Sequence, residues 1–418
     1  MKVLIICHVY PPEHAPAGVM TSELAASLSE RGHEVTIVTG WPNHPAGILF
    51  PGWRARWRAV ERDRRGFTVV RCGHSIHPRA ATAWRLWYYL SFALSTFIGA
   101  VLVGRVDALL CLSTPVFGGW TAWAVARLRR ARFVYAIYDL HPESAANAGL
   151  IRRGIAYGIL RAIDSMLCRW SDAIITLGAG LRREIVARGV EAERVYVVPL
   201  WLDGGKIAPA PRVNAWRAAH GIPPEQTVAL YAGTIGYVSG AEMLIETAAR
   251  LAPRDDILLL CVGDGPVKDR LIAVADANGL RNIRFLPFQP DAVLQDVQAT
   301  ADVGLVTLLP EAGRTSVPSK VLGYLAAGRP VLASVAEESD TAAMVRAGDC
   351  GIVTPPQDAA ALADAIRAMA DDPIRCRVVG ERAREFFLRE YDQRACIGAY
   401  ERILAGSAPL ATADGGHP

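Results

Sequence analysis

Lysine is scarce in this chain. It occurs only at positions 2, 206, 268 and 320, so nearly all of the 45 basic residues are arginine. The net charge of +4 is small for 418 residues, and such a bias follows genome composition as readily as a nucleic-acid role. Metal and disulfide patterns are missing too. The eight cysteines are scattered without a C-x-x-C pair, and the nine histidines show no ligand spacing. No Asp-x-Asp pair and no complete G-x-G-x-x-G occurs. The cysteines sit mostly in apolar runs, the setting of reduced, buried thiols. A charged, then apolar, leader is also lacking: Met1-Lys2 runs straight into an apolar stretch, and the expected location is the cytoplasm.

What is present is apolar and alternating. Hydrophobic residues make up 51% of the chain, enough for two or three sizeable cores. Apolar runs predict strands over 3–7, 34–39, 68–71, 108–112, 133–137, 173–176 and 195–198. A second series falls at 228–232, 257–262, 283–286, 303–306, 330–333 and 351–354. Continuous apolar strands separated by helical runs predict parallel sheets covered on both faces, with ligands at the strands' carboxyl ends. Residues 86–103 carry no charge and only just reach the length of a membrane span. Their small residues Ser91, Ser95 and Gly99 recur every fourth position, and the strand at 108–112 must rejoin the first sheet. A buried or surface-lying helix is therefore expected, not a span.

Several loops carry polar residues where such strands end. After the first strand come His8, Glu13 and His14, then Gly18 at the mouth of a helix expected over 19–31, where a missing side chain lets a phosphate or sugar approach. Asp139, His141 and Glu143 follow the fifth strand, an ionisable trio where a cleft would lie, with Asp139 and Glu143 the candidates for handling a proton and helix capping by Asp139 as the plainer reading. Residues 51–65 mix Trp53 and Trp57 with six arginines, which suits either an anionic membrane surface or a solvated basic loop. The Pro-, Gly- and Asp-rich run over 201–212 reads as a linker. In the second half Gly236, then Gly263 and Gly265, close successive strands, and Phe288 follows a third. Thr315 to Ser334 reads as loop, helix and strand, with Ser319 placed to cap the helix and Lys320 one residue later, where an ammonium meets an anion at a helix N-terminus.

The segment PSKxxxYLAAGRPV, with Lys320 within it, resembles the donor-binding segment of retaining, nucleotide-sugar-dependent glycosyltransferases. Within them it is most similar to the bacterial branch that builds O-antigen, colanic acid and related surface polysaccharides, and the likeness extends to about residue 404. DLHPES at 139–144 resembles that branch's DLWPES-like motif. The family's E-x7-E is absent, its places falling on Thr315 and Gly323. The resemblance implies an α/β architecture of two facing Rossmann-like domains (GT-B) around an interdomain cleft. The domains are expected over 1–200 and 213–385, with a helix over 386–404 returning to the first and a disordered tail over 405–418. It implies catalytic roles for Asp139, Glu143 and Lys320. Donor binding falls to Gly18, Gly236, Gly263, Gly265, Phe288, Arg314, Ser319, Lys320 and Glu338, and the acceptor side to His14 and His141. It implies a nucleotide-sugar donor, a lipid-diphosphate-linked saccharide acceptor at the cytoplasmic membrane surface, and neither cofactor nor metal. A nucleotide-sugar epimerase of the same architecture and a non-catalytic nucleotide-sugar-binding scaffold remain open as rivals.

Overall fold

The computed structural model describes residues 1–13, 15–44, 47–77, 82–143, 146, 152–236, 239–310 and 318–407. The chain forms two compact units. One comprises Met1–Val198 with the chain from Ile397, and the other runs from Pro199 to Cys396.

The first unit is built on an eight-stranded sheet. Its strands are β1 (Lys2–Ile6), β2 (Glu34–Gly40), β3 (Arg58–Arg62), β4 (Thr68–Cys72), β5 (Ala108–Leu112), β6 (Arg132–Ile137), β7 (Ala173–Thr176) and β8 (Val195–Val197), in the order β3-β4-β2-β1-β5-β6-β7-β8. All pairs are parallel except β3 with β4. β3 lies inside the stretch read as a basic loop. Its polar, half-exposed residues fit the sheet edge, where only one neighbour needs matching. The helices α1 (Pro16–Glu30), α2 (Thr82–Val101) and α3 (Val116–Arg129) cover the sheet, and α1 starts three residues before its expected position because Pro16 suits a first helical turn.

No described helix is long and apolar enough to cross a membrane. α2 instead turns Tyr88, Phe92, Thr96 and Ala100, one every fourth residue, into the core. A Cβ on Gly99 would lie 2.3 Å from the Cys72 sulfur, so the small-residue stripe does set how closely α2 meets the sheet. The helix Gln393–Ala405 packs on this same unit. Glu401 pairs with Arg31 (2.7 Å) and His33 (2.7 Å), and the Tyr400 and Tyr138 hydroxyls meet at 2.7 Å.

The second unit holds a six-stranded parallel sheet of β9 (Thr227–Ala232), β10 (Ile257–Val262), β11 (Ile283–Leu286), β12 (Val303–Thr307), β13 (Val331–Ser334) and β14 (Gly351–Thr354), in the order β11-β10-β9-β12-β13-β14. Alternate residues of β9 feed opposite cores: Val228 and Leu230 one, Ala229 and Tyr231 the other. The stretch read as a linker is packed. Trp201 and Ile207 are buried, and Arg384 holds the carbonyls of Gly204 (3.0 Å) and Ile207 (3.2 Å). All eight cysteines are free, and all but Cys376 are buried.

Candidate functional site

Strand order locates the candidate sites. In the first sheet the order reverses at β1, which lies between β2 and β5, and in the second at β9, between β10 and β12. Open α/β sheets leave a crevice at the carboxyl ends beside such a reversal. The loops after β1, β5 and β6 in one unit, and after β9, β10 and β12 in the other, are those holding most of the sequence candidates.

In the first unit that edge is braced by its own side chains. Glu13 is buried, and its carboxylate accepts from the backbone N–H groups of Tyr10 (3.0 Å), Asn43 (2.7 Å) and His44 (2.7 Å), tying the loops after β1 and β2. Arg71, buried at the end of β4, donates to the Pro11 carbonyl at 2.7 Å, pairs with Glu61 at 3.2 Å and stands 4.5 Å over the Trp53 ring. His8 Nε2 lies 2.7 Å from the Tyr88 hydroxyl, which donates to Asn43 Oδ1 at 3.0 Å. A tyrosine has one proton to give, so His8 supplies the other.

The trio after β6 divides. Asp139 is exposed and shows no ion pair or hydrogen bond among the described residues, and the helix it would cap falls largely outside them. His141 Nε2 is 3.0 Å from the Thr114 hydroxyl, at the end of the neighbouring strand. Glu143 is already engaged: Arg188 meets it at 2.6 Å and Arg161 at 3.2 Å. Arg188 is buried, also pairs with Asp164 at 2.7 Å, and donates to the His141 carbonyl at 3.3 Å. Burial pushes the Asp164 carboxyl up against the pull of Arg188, and the two carboxylates keep the guanidinium above its ordinary range despite burial. Glu143 is thus a brace for the loop that presents Asp139 and His141. A proton-handling role would require it to leave Arg188.

Gly18 also departs from its expected part. It is buried in the first turn of α1, where a Cβ would lie 2.8 Å from the Val9 carbonyl oxygen, and its N–H donates to Ala15. Its missing side chain makes room for the chain's own loop. His14 and Arg314 lie outside the described residues.

The second unit builds its edge from backbone. Gly233 donates to the Val262 carbonyl (2.9 Å) and Ile235 to Asp264 (2.9 Å), so the loops after β9 and β10 stay paired beyond their strands. Gly263 has φ +154, and a Cβ there would fall 1.9 Å from the Gly233 oxygen, so only glycine fits. Gly265 repeats this against Ile235, and Gly236 lies at the end of the first loop.

Lys320 opens the helix Lys320–Ala326 and reaches back across the sheet to this loop. Its Nζ stands 3.4 Å from the Tyr231 ring centroid, and a Cβ on Gly233 would lie 3.3 Å from its Cε. No carboxylate pairs with it among the described residues, and burial pulls its ammonium down to about 7. Ser319 occupies the N-cap position but makes no side-chain capping bond, because its backbone is already helical (φ −57, ψ −23). Its hydroxyl is exposed. Glu338 is exposed after β13, and the neighbouring helix is capped by Ser339, which accepts from Ala342 at 3.1 Å. Phe288 presents an exposed ring after β11. A Cβ on Gly323 would lie 3.0 Å from Gln298 Nε2 inside the unit, so one place of the missing E-x7-E points at packed interior. A cavity of about 760 Å³ in this unit opens at the opposite, amino-terminal edge near Asp256, Asp302 and Arg377, away from the reversal at β9.

Arg188, Asp164, Arg71, Asn43 and Tyr88 were not legible as site residues. Each is distant in sequence from its partners and sits in no motif. The one local hint is Asp164, the single acid in a helical run whose other charges are Arg161 and Arg169.

Residues 17–201 match the family described as a glycosyl transferase 4-like domain, and residues 226–372 match the glycosyl transferases of group 1. WcaI of Escherichia coli K12, a glycosyl transferase named for colanic acid biosynthesis, is 30% identical over 78% of this chain and 82% of its own. WbjE of Pseudomonas aeruginosa, a probable glycosyltransferase, is 25% identical over 63% of this chain and 64% of its own. Among solved structures, Anabaena HepE in complex with UDP and glucose superposes with a TM-score of 0.67 at 17% identity, over 97% of this chain and 99% of that one. Two Rossmann-like α/β units, the two family matches over 17–201 and 226–372, and 30% identity to WcaI over most of both chains place this chain among the GT-B glycosyltransferases, in the group that includes bacterial surface-polysaccharide enzymes.

Proposed function

We propose that the chain moves a sugar, with retention, from a nucleotide-diphosphate sugar to a lipid-diphosphate-linked saccharide at the cytoplasmic face of the membrane, in surface polysaccharide synthesis. Lys320 carries the reading. A half-buried lysine with no carboxylate partner among the described residues, laid against a glycine loop at the reversal of a parallel sheet, suits an anion from outside the protein. HepE, of the same fold, was solved with UDP-glucose.

In this reading Gly236, Gly263 and Gly265 bring backbone to the diphosphate, Ser319 adds a hydroxyl and Lys320 the charge. Phe288 offers a face to the base, and Glu338 stands nearest the role of the missing sugar-binding carboxylates. Asp139 and His141 orient the acceptor, with Glu143 holding their loop. The bond from the anomeric carbon to the diphosphate breaks as that to the acceptor oxygen forms on the same face. The acceptor's proton passes to the departing phosphate oxygen, whose growing charge Lys320 stabilises.

The test is transfer from labelled UDP- and GDP-sugars into a lipid-extractable product, using membranes that contain lipid-diphosphate-linked saccharide. Label in the lipid phase from one donor, abolished in Lys320→Ala, is the expected result. Donors altered in solution without acceptor would point to the epimerase, and donors bound but unchanged to the scaffold.

A further inference from the structure

The face of the first unit formed by α2, α3 and the helix Ile155–Trp170 is unusual in both polarity and charge. α2 and α3 are packed together, as are α3 and Ile155–Trp170. On α2 the side chains opposite the buried stripe remain in solvent: Trp84 is 51% exposed, Trp87 54% and Leu94 63%, with Leu90, Ile98 and Leu102 continuing the row. Leu128 on α3, and Ile155, Ile159 and Trp170 on the third helix, extend it. Trp170 stacks on Trp123 with centroids 4.9 Å apart, so half of the chain's ten tryptophans lie on these three helices.

Apolar faces of this extent on soluble proteins mark interaction sites. The charge pattern selects the partner. α2 and α3 contain no aspartate or glutamate, and the third helix has only Asp164, buried against Arg188. Arg127, Arg130, Arg152, Arg161 and Arg169 rim the same layer with exposed side chains. A protein partner or a second copy would ordinarily be met by charges of both signs. Tryptophan and leucine rimmed by arginine, with no exposed carboxylate on the three helices, match the interfacial zone above an anionic leaflet.

We infer that this three-helix face docks the protein on an anionic lipid bilayer. The inference deepens the membrane part of the proposed function and rests on that reading only there. It also moves the contact expected at 51–65. Trp53 is spent on Trp41 and Arg71, and Arg65 on Asp63 and Ser22, so Trp57 is the one exposed tryptophan of that stretch.

The test uses the full chain and vesicles of phosphatidylethanolamine with phosphatidylglycerol, against vesicles of phosphatidylcholine alone. Co-sedimentation with the anionic vesicles should be at least about tenfold stronger and weaken in high salt, with a blue shift of tryptophan fluorescence. Trp87→Ser, Leu94→Ser and Ile98→Ser together should cut binding about tenfold or more while leaving the thermal unfolding midpoint in place, since all three side chains are exposed. R127Q with R169Q should erase the preference for anionic vesicles. Equal weak binding to both vesicle types overturns the inference, as does a vesicle-free dimer that the serine substitutions dissolve. Transfer to a detergent-dispersed acceptor separates the two readings. Variants that lose vesicles but keep transfer leave the function standing, and a wild type that binds vesicles but transfers nothing leaves only the surface.

Discussion

The two carboxyl-terminal edges are prepared in opposite ways. In the first unit the buried polar groups are satisfied from within, with Asp139 the exposed exception: Glu13 by three amides, Glu143 and Asp164 by Arg188, Asn43 by Tyr88. In the second the loops are knitted by backbone, and Lys320, half-buried over the Tyr231 ring, meets no carboxylate among the described residues. A buried network holds a loop still at the expense of the freedom of its charges. A glycine framework holds still without charges, and so leaves a cation for a ligand to neutralise.

Breaking Arg188 should have the largest effect. Arg188→Met strands the buried Asp164 and leaves Glu143 only Arg161, and is expected to cost about 3–5 kcal/mol, measured as the fall in urea unfolding free energy. A cost near zero would mean the first edge is not braced by this pair.

Next comes Lys320. Lys320→Met should weaken nucleotide-sugar binding about ten- to a hundredfold by calorimetry, the scale of a charged hydrogen bond worth about 1.5–3 kcal/mol, without loss of stability. The pH dependence has a definite sign. The ammonium titrates near 10.5 when exposed and at about 7 in the fold, so the folded chain holds fewer protons between those values. Stability therefore rises with pH across that window, and the burial cost is fully felt below 7. Donor binding runs the other way: a diphosphate draws the proton back, so affinity falls as pH climbs above 7, and the Met variant should lose that slope.

Asp139 and Glu143 sharpen the comparison within one loop. Asp139→Asn should lower transfer about a hundredfold with unfolding unchanged to within about 0.5 kcal/mol, whereas Glu143→Gln should act chiefly on stability. The reverse pattern would make Glu143 the chemical group. The smallest effect is expected of Tyr88→Phe, about 1 kcal/mol of stability, since only its hydrogen bonds to His8 and Asn43 go.

The sequence by itself determined the fold class, thirteen of the strands, and the loops in which Lys320, Gly263 and Asp139 lie. These follow from local pattern: continuous apolar runs make buried parallel strands, and glycines follow the strands' ends. The edge strand β3 escaped, because a strand with one partner and a solvated face needs no apolar run. Tertiary structure alone decided the rest. Strand order put the reversals at β1 and β9. Packing turned Gly18 toward its own loop, bound Glu143 to an arginine 45 residues away, and left Lys320 without a counter-charge among the described residues. Whether a charge is met or unmet depends on what the fold brings within a few ångströms of it, and that distance is not written in the spacing of residues along the chain.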